Sequence, residues 1–230
     1  MRPPRSAAAR RSLAIWRGAP LSDRVHCHIR WWTAPFAALE TEVPRDGAIL
    51  EIGCGHALFS TYLALTSTSR QVRGVDIDAD KIEQAGLALA RLAPGEADIA
   101  VEHRPSGDVP TRIGGWDAIV LVDVLYLLSP SARRVLLGRC VDALAPDGVL
   151  ILKEVDTSPR LKAAVAQFQE FLATKVFRFT ATDHDLHFPS VAELRSLLVD
   201  CGLAVRTDRL DRGYFHPHCV VIGTRPLRAA

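Results

Sequence analysis

The chain has 230 residues, 23% of them charged, with a net charge of +2. That length suits one large domain, or one domain plus an appendage, and a body of this size needs no disulfide or metal staple. The balanced charge excludes a global basic field for nucleic acid, and no apolar stretch approaches the roughly 18 residues of a spanning helix. Arg2, Arg5, Arg10, Arg11 and Arg17 crowd the first 20 residues, with no apolar signal-peptide core behind them. This segment reads first as a disordered basic tail. Its second reading is a surface helix, with Leu13, Ile15 and Trp16 turned to anionic lipid or a partner. Residues 1–44 are thus a basic tail and helical cap, holding His26, His28, Arg30, Trp31 and Trp32.

Strand and helix signals alternate from there. Residues 48–52 and 71–76 are short β-rich runs, with a helix expected over 57–66 between them. Asp78 is placed as the N-cap of a helix carrying Ile82, Ala85, Leu89 and Leu92. Residues 98–103 form a third strand, and the apolar run from Trp116 to Val122 fits a buried parallel strand. Ser129-Pro130 opens a helix to about Leu144, and Val149 to Lys153 is the next strand. An amphipathic helix over 159–176 carries Leu161, Val165, Phe168 and Leu172 on one face. Ser190 to Glu193 is a capping box for a helix ending near Gly202. Residues 203–209 and 218–224 read as a closing antiparallel hairpin. The order implies an α/β, Rossmann-like, mostly parallel sheet with helices on both faces.

Cys27, Cys54, Cys140, Cys201 and Cys219 show no paired spacing, which fits a reducing, cytoplasmic compartment. No zinc-ligand spacing occurs, so no metal is expected. The chemistry concentrates in Ile49 to Ser60, an apolar strand that ends on Glu51 and enters the turn Gly53-Cys54-Gly55. The next strand ends on Asp76. A dinucleotide site wants Gly-x-Gly-x-x-Gly, and the sixth position here is Leu58, which weighs against NAD. Glu51 supplies negative charge beside the turn, where a cationic ligand would sit. Asp76 is placed to accept two ribose hydroxyls.

The segment Glu51-Ile-Gly53-Cys-Gly55-His-Ala57 resembles motif I of the class I S-adenosylmethionine-dependent methyltransferases, with Ala57 in place of the usual third glycine. Asp76 is similar to the ribose-binding acid of that family, with Ile77 beside it. Gly107-Asp108 resembles the pair whose acid meets the adenine amino group. The run Asp117 to Tyr126 is similar to motif IV and includes Asp123, and Leu144 to Lys153 is similar to the turn and fifth strand. The resemblance implies a seven-stranded sheet with an antiparallel last strand over residues 45–225. It also implies a cofactor, S-adenosyl-L-methionine, held by Glu51, Gly53, Cys54, Gly55, Asp76, Ile77, Gly107, Asp108 and Asp123.

The family's amino-methylating branch shows Asn/Asp-Pro-Pro-Tyr where this chain has Asp123-Val-Leu-Tyr126. That departure favours a small-molecule or lipid-like acceptor, and the O, N or C atom stays open. The acceptor is expected near Tyr126, Lys153, Asp156, Tyr214, Trp31 and Trp32. A lid is expected at about 157–189, with Phe177, Phe179, His184 and Asp185 in it. Candidate general bases are His216, His218 and His187, since a hydroxyl acceptor gains from a base near neutrality. His56 reads as exposed at the start of the first helix, and Cys54 as a small turn residue. RNA or protein substrates, and a non-catalytic partner subunit, are the alternatives. Residues 226–230 are a short tail, and oligomeric state is unreadable.

Overall fold

The computed structural model describes residues 3–156 and 187–226. The expected helix over 159–176 and most of the expected lid lie outside them. Helices α1 (Ala7–Ala14), α2 (Leu21–Thr33) and the one-turn α3 (Phe36–Leu39) come first. Then follow β1 (Gly47–Ile52), α4 (Leu58–Thr66), β2 (Arg70–Asp76), α5 (Ala79–Leu89) and β3 (Asp98–His103). The chain continues through β4 (Trp116–Val122), α6 (Pro130–Ala143) and β5 (Leu144–Val155). It closes with α7 (Val191–Asp200), β6 (Ala204–Arg209) and β7 (His218–Thr224).

The strands form one seven-stranded sheet in the order β3-β2-β1-β4-β5-β7-β6. The first five are parallel, and β7 runs antiparallel to both β5 and β6. The expected sheet and closing hairpin are therefore present. Three caps act as the sequence indicates: Ser129 accepts from the Ala132 amide, Ser190 from Glu193, and Asp78 from Lys81. Each satisfies a donor that a helix start leaves without a partner.

Strand alternation divides the core between the two sheet faces. Ile49 of β1 joins the cluster under α1, α2, α4 and α5, while Ala48, Leu50 and Ile52 join the one under α6 and α7. The basic tail reading is corrected here. From Ala7 onward the segment is helical, capped by Ser6, with Ala9, Leu13, Ile15 and Trp16 buried. The apolar side expected to meet lipid or a partner packs instead on the sheet-covering helices, and Arg11 pairs with Glu96 at 2.6 Å. The strand order reverses between β1 and β4, which opens a crevice at their carboxyl ends. Among the described residues no helix is long and apolar enough to cross a membrane.

Candidate active site

The crevice is floored by the turn after β1. The amides of Gly53 and Cys54 both donate to the Val75 carbonyl, at 2.8 and 3.0 Å, which ties the turn to the end of β2. Gly53 has φ +73°, and a Cβ there would stand 2.4 Å from Val124 Cγ2, so no side chain fits. Ala57, where the family has a third glycine, also takes a left-handed conformation at φ +51°. An alanine there carries strain that glycine would not. Asp76 faces the turn: its Oδ2 accepts the Gly55 amide at 2.7 Å and its Oδ1 the Asp78 amide at 2.9 Å. Each oxygen keeps a lone pair for a hydroxyl.

Glu51 is buried and accepts a short hydrogen bond from the Ser60 hydroxyl. Burial pushes its carboxyl up to about 7, although the Ser60 hydrogen bond and the Arg30 charge oppose that rise. Cys54 is buried with its sulfur against Gly74, a packing residue of the turn. Arg104 ties the loop after β3 to this crevice, its amide donating to the Asp76 carbonyl at 2.9 Å. Asp108 in that loop meets Arg104 at 3.0 Å, and Arg139 donates to the Gly107 carbonyl at 2.7 Å. Ile77 is exposed beside them. His56 corrects the expectation of exposure. Its ring is packed between Trp16, at 5.2 Å between centroids, and His26, at 4.8 Å, and it meets Asp23 at 3.5 Å.

Beyond β4, Asp123 is buried with φ +56°, a left-handed backbone that a non-glycine residue adopts at a cost. Its carboxylate lies between two cations: Lys153 Nζ donates to Oδ1 at 2.6 Å, and Arg30 Nη1 stands 2.6 Å from Oδ2. Burial resists its charge, but Lys153 and Arg30 hold it well below the usual carboxylate range. Glu154 accepts the amides of Val124 and Leu125, at 3.1 and 2.8 Å, and burial and Asp123 push its carboxyl up. Arg133 holds the same loop from the other side, through the carbonyls of Leu125, Leu128 and His187 and the Glu193 carboxylate.

The expected acceptor residues fall into different contacts. Tyr126 stacks flat on Phe188, with centroids 5.1 Å apart, and its carbonyl accepts the His187 amide. Tyr214, His216 and His218 form a second cluster, with Tyr214 and His216 at 5.6 and 6.1 Å from the His218 ring. His218 is almost wholly buried, and its Nε2 meets the Thr33 carbonyl at 2.8 Å, so that nitrogen carries the proton. Burial, aided by Lys153, drives its pKa down to about 2, which corrects its standing as a base. His216 is only half-buried. Burial and Lys153 lower its pKa while Asp123 resists.

Lys153 is corrected too, because it is wholly buried with its ammonium on Asp123. Trp31 is buried against Phe36 and Tyr62 and does not face the crevice, whereas Trp32 is exposed. Asp156 is drawn to the loop ahead of β7, its amide donating to the Pro217 carbonyl at 2.8 Å and its carboxylate 3.9 Å from Arg209. Arg30, Glu154, Arg133 and Phe188 are the site residues that sequence reasoning missed. Arg30 was visible only as one basic residue of the cap, and nothing local ties it to Asp123, 92 positions away in its bond to Val122 and one further to its ion pair.

The donor set fits S-adenosylmethionine. Asp76 offers two acceptor oxygens to ribose hydroxyls, Glu51 offers an anion to an ammonium, and Arg30 offers a cation to a carboxylate. Residues 49–148 match the family model described as a methyltransferase domain. The chain is 25% identical to a ubiquinone biosynthesis O-methyltransferase of Psychrobacter arcticus, over 67% of this chain and 58% of that protein. It thus spans less than two-thirds of the length of that curated relative. In fold it is similar to the magnesium protoporphyrin IX methyltransferase of Synechocystis PCC 6803 with bound SAH. The TM-score is 0.63 at 19% identity, covering 96% of this chain and 95% of that one. It is also similar to an O-methyltransferase family protein from Burkholderia thailandensis, with TM-score 0.69 at 14% identity over 94% and 63%.

Proposed function

Because the chain belongs to the class I S-adenosylmethionine-dependent methyltransferases, we propose that it methylates a hydroxyl of a small or lipid-like acceptor. The observation that carries this reading is one crevice with two sets of groups. Asp76, Glu51 and Arg30 suit the cofactor, and the Tyr214, His216 and His218 cluster lies where its imidazoles feel the Asp123–Lys153 pair. Asp76 would hold the ribose, Glu51 the ammonium, Arg30 the carboxylate and Asp108 the adenine amino group. The bound cofactor would supply a methyl group on sulfur, already activated, and would yield its carbon to the acceptor oxygen with the carbon–sulfur electron pair staying on sulfur. The residues of the crevice would have to orient the two.

The chain's own contribution is then to place the acceptor and manage its proton. The hydroxyl proton passes to His216. Its lowered pKa leaves it unprotonated and able to accept at neutral pH. His218 stays neutral and holds the cluster against α2 through Thr33. The flat Tyr126–Phe188 pair would line the acceptor pocket. An O-methyltransferase name among the relatives supports the choice of oxygen over nitrogen or carbon.

The test is turnover on matched phenols and anilines carrying alkyl chains, read by formation of S-adenosylhomocysteine. Phenols should turn over and His216→Gln should remove most of the rate while cofactor affinity is retained. Turnover of anilines alone would overturn the hydroxyl reading, and no binding of S-adenosylmethionine would overturn the whole.

A further inference from the structure

A second cavity lies away from the strand ends, between α1 and α2. Its volume is about 250 Å³, and its walls include Arg10, Arg17, Arg24 and His28 over a floor of Leu13, Ala14 and Trp16. None of the three guanidiniums meets a carboxylate among the described residues. The nearby acids are engaged elsewhere: Glu96 takes Arg11 at 2.6 Å, and Asp23 turns to His56 at 3.5 Å. Among the described residues Arg10 reaches the Arg5 carbonyl, at 2.6 Å, and the His28 Nδ1 donates to the Arg24 carbonyl at 2.8 Å.

Trp16 closes the floor of the cavity and is itself 1% exposed. A cavity rimmed by three guanidiniums that meet no carboxylate among the described residues describes the complement of an anion. Guanidiniums favour planar or tetrahedral oxyanions, which accept several N–H groups at once. The apolar floor adds room for a short carbon body, and the volume lies just below the usual range for small-ligand sites, roughly 300–1,000 Å³.

We propose that this cavity binds a phosphate monoester or diester with a small apolar body, held by Arg10, Arg17 and Arg24 over the Trp16 ring. The site is separate from the crevice, although the Trp16 ring edge meets His56 of the glycine turn 5.2 Å away. It does not depend on the methyl-transfer reading.

The experiment titrates the full chain with phenyl phosphate and follows the Trp16 indole resonance in a proton–nitrogen spectrum, assigned by its loss in Trp16→Phe. A saturable shift is expected, with affinity at least tenfold weaker in the double variant Arg17→Gln, Arg24→Gln. Both side chains are exposed, so the variant should melt with the parent and bind S-adenosylmethionine equally well. Phosphatidylglycerol vesicles that displace phenyl phosphate would identify the source as a lipid headgroup. Vesicles without effect, beside a response to soluble esters, would identify a free phosphate compound. No shift with any probe up to millimolar concentration, or the same affinity in the double variant, would overturn the site.

Discussion

Arg70, at the start of β2, and Lys153, near the end of β5, are both wholly buried cations on one sheet, and their surroundings differ in kind. Arg70 spends every branch of its guanidinium. Nε donates to the Pro44 carbonyl at 2.6 Å, Nη2 to Val43 at 2.9 Å, and Nη1 to Glu40, Thr66 and Leu63 at 2.8, 2.7 and 3.2 Å. The Lys153 ammonium has one hydrogen bond among the described residues, to an Asp123 whose backbone is left-handed and whose second oxygen faces the partly exposed Arg30. Buried polar groups that are fully satisfied fasten a fold, while those left strained and part-satisfied mark a place where something else is to bind.

The largest effect should come at the satisfied end. Arg70→Met leaves Glu40 buried without its cation and orphans several carbonyls at once. It should cost about 3–5 kcal/mol of stability. The midpoint of urea unfolding reads this directly. Were Arg70→Met to melt with the parent protein, the distinction between the two ends would collapse.

At the crevice the loss should fall on binding. Asp76→Ala removes a charged acceptor and should weaken S-adenosylmethionine by about 1–3 kcal/mol. Titration calorimetry measures it, and unchanged affinity would remove Asp76 from the site. The matched replacement to Arg70→Met is Lys153→Met. Arg30 remains beside the Asp123 carboxylate in this variant, so the cost in stability should be only about 1–2 kcal/mol. Turnover should fall further than stability does, because Asp123 would be free to shift toward Arg30. A loss of stability equal to that of Arg70→Met would show that both ends serve the fold alone.

The two ends also differ in how legible they were. The strand pattern, the glycine turn and Asp76 are local signals, so the sheet, its crevice and the part of the site around the turn could be read from neighbours in sequence. The rest of the site depends on pairs that no local pattern reveals. Arg30 meets Asp123 because α2 crosses the strand ends, and Lys153 was read as a substrate residue because its burial depends on β7 lying against β5. The same holds for the arginine-rich segment. Its charges dominated the reading, although the spacing of Ala9, Leu13 and Trp16 was already that of a packed helix, and packing followed the apolar side.

The smallest effect separates the two ends by pH. Glu51 is raised to about 7 by burial. A raised carboxyl favours the folded state fully below its unfolded value, about 4.5, and that contribution is lost as pH climbs through about 7. Cofactor binding runs the other way, since an ammonium selects the ionised carboxylate. Affinity for S-adenosylmethionine should therefore rise about tenfold between roughly pH 6 and 8, a gain of about 1.4 kcal/mol. In Glu51→Gln that rise should vanish and affinity should stay at its low-pH level. Glu40 belongs to the Arg70 cluster and not to the crevice, so Arg70→Met, even where it lowers stability, should leave the pH dependence of binding as it is in the parent. A rise that persisted in Glu51→Gln would assign the titration to another group of the crevice and detach Glu51 from the ammonium.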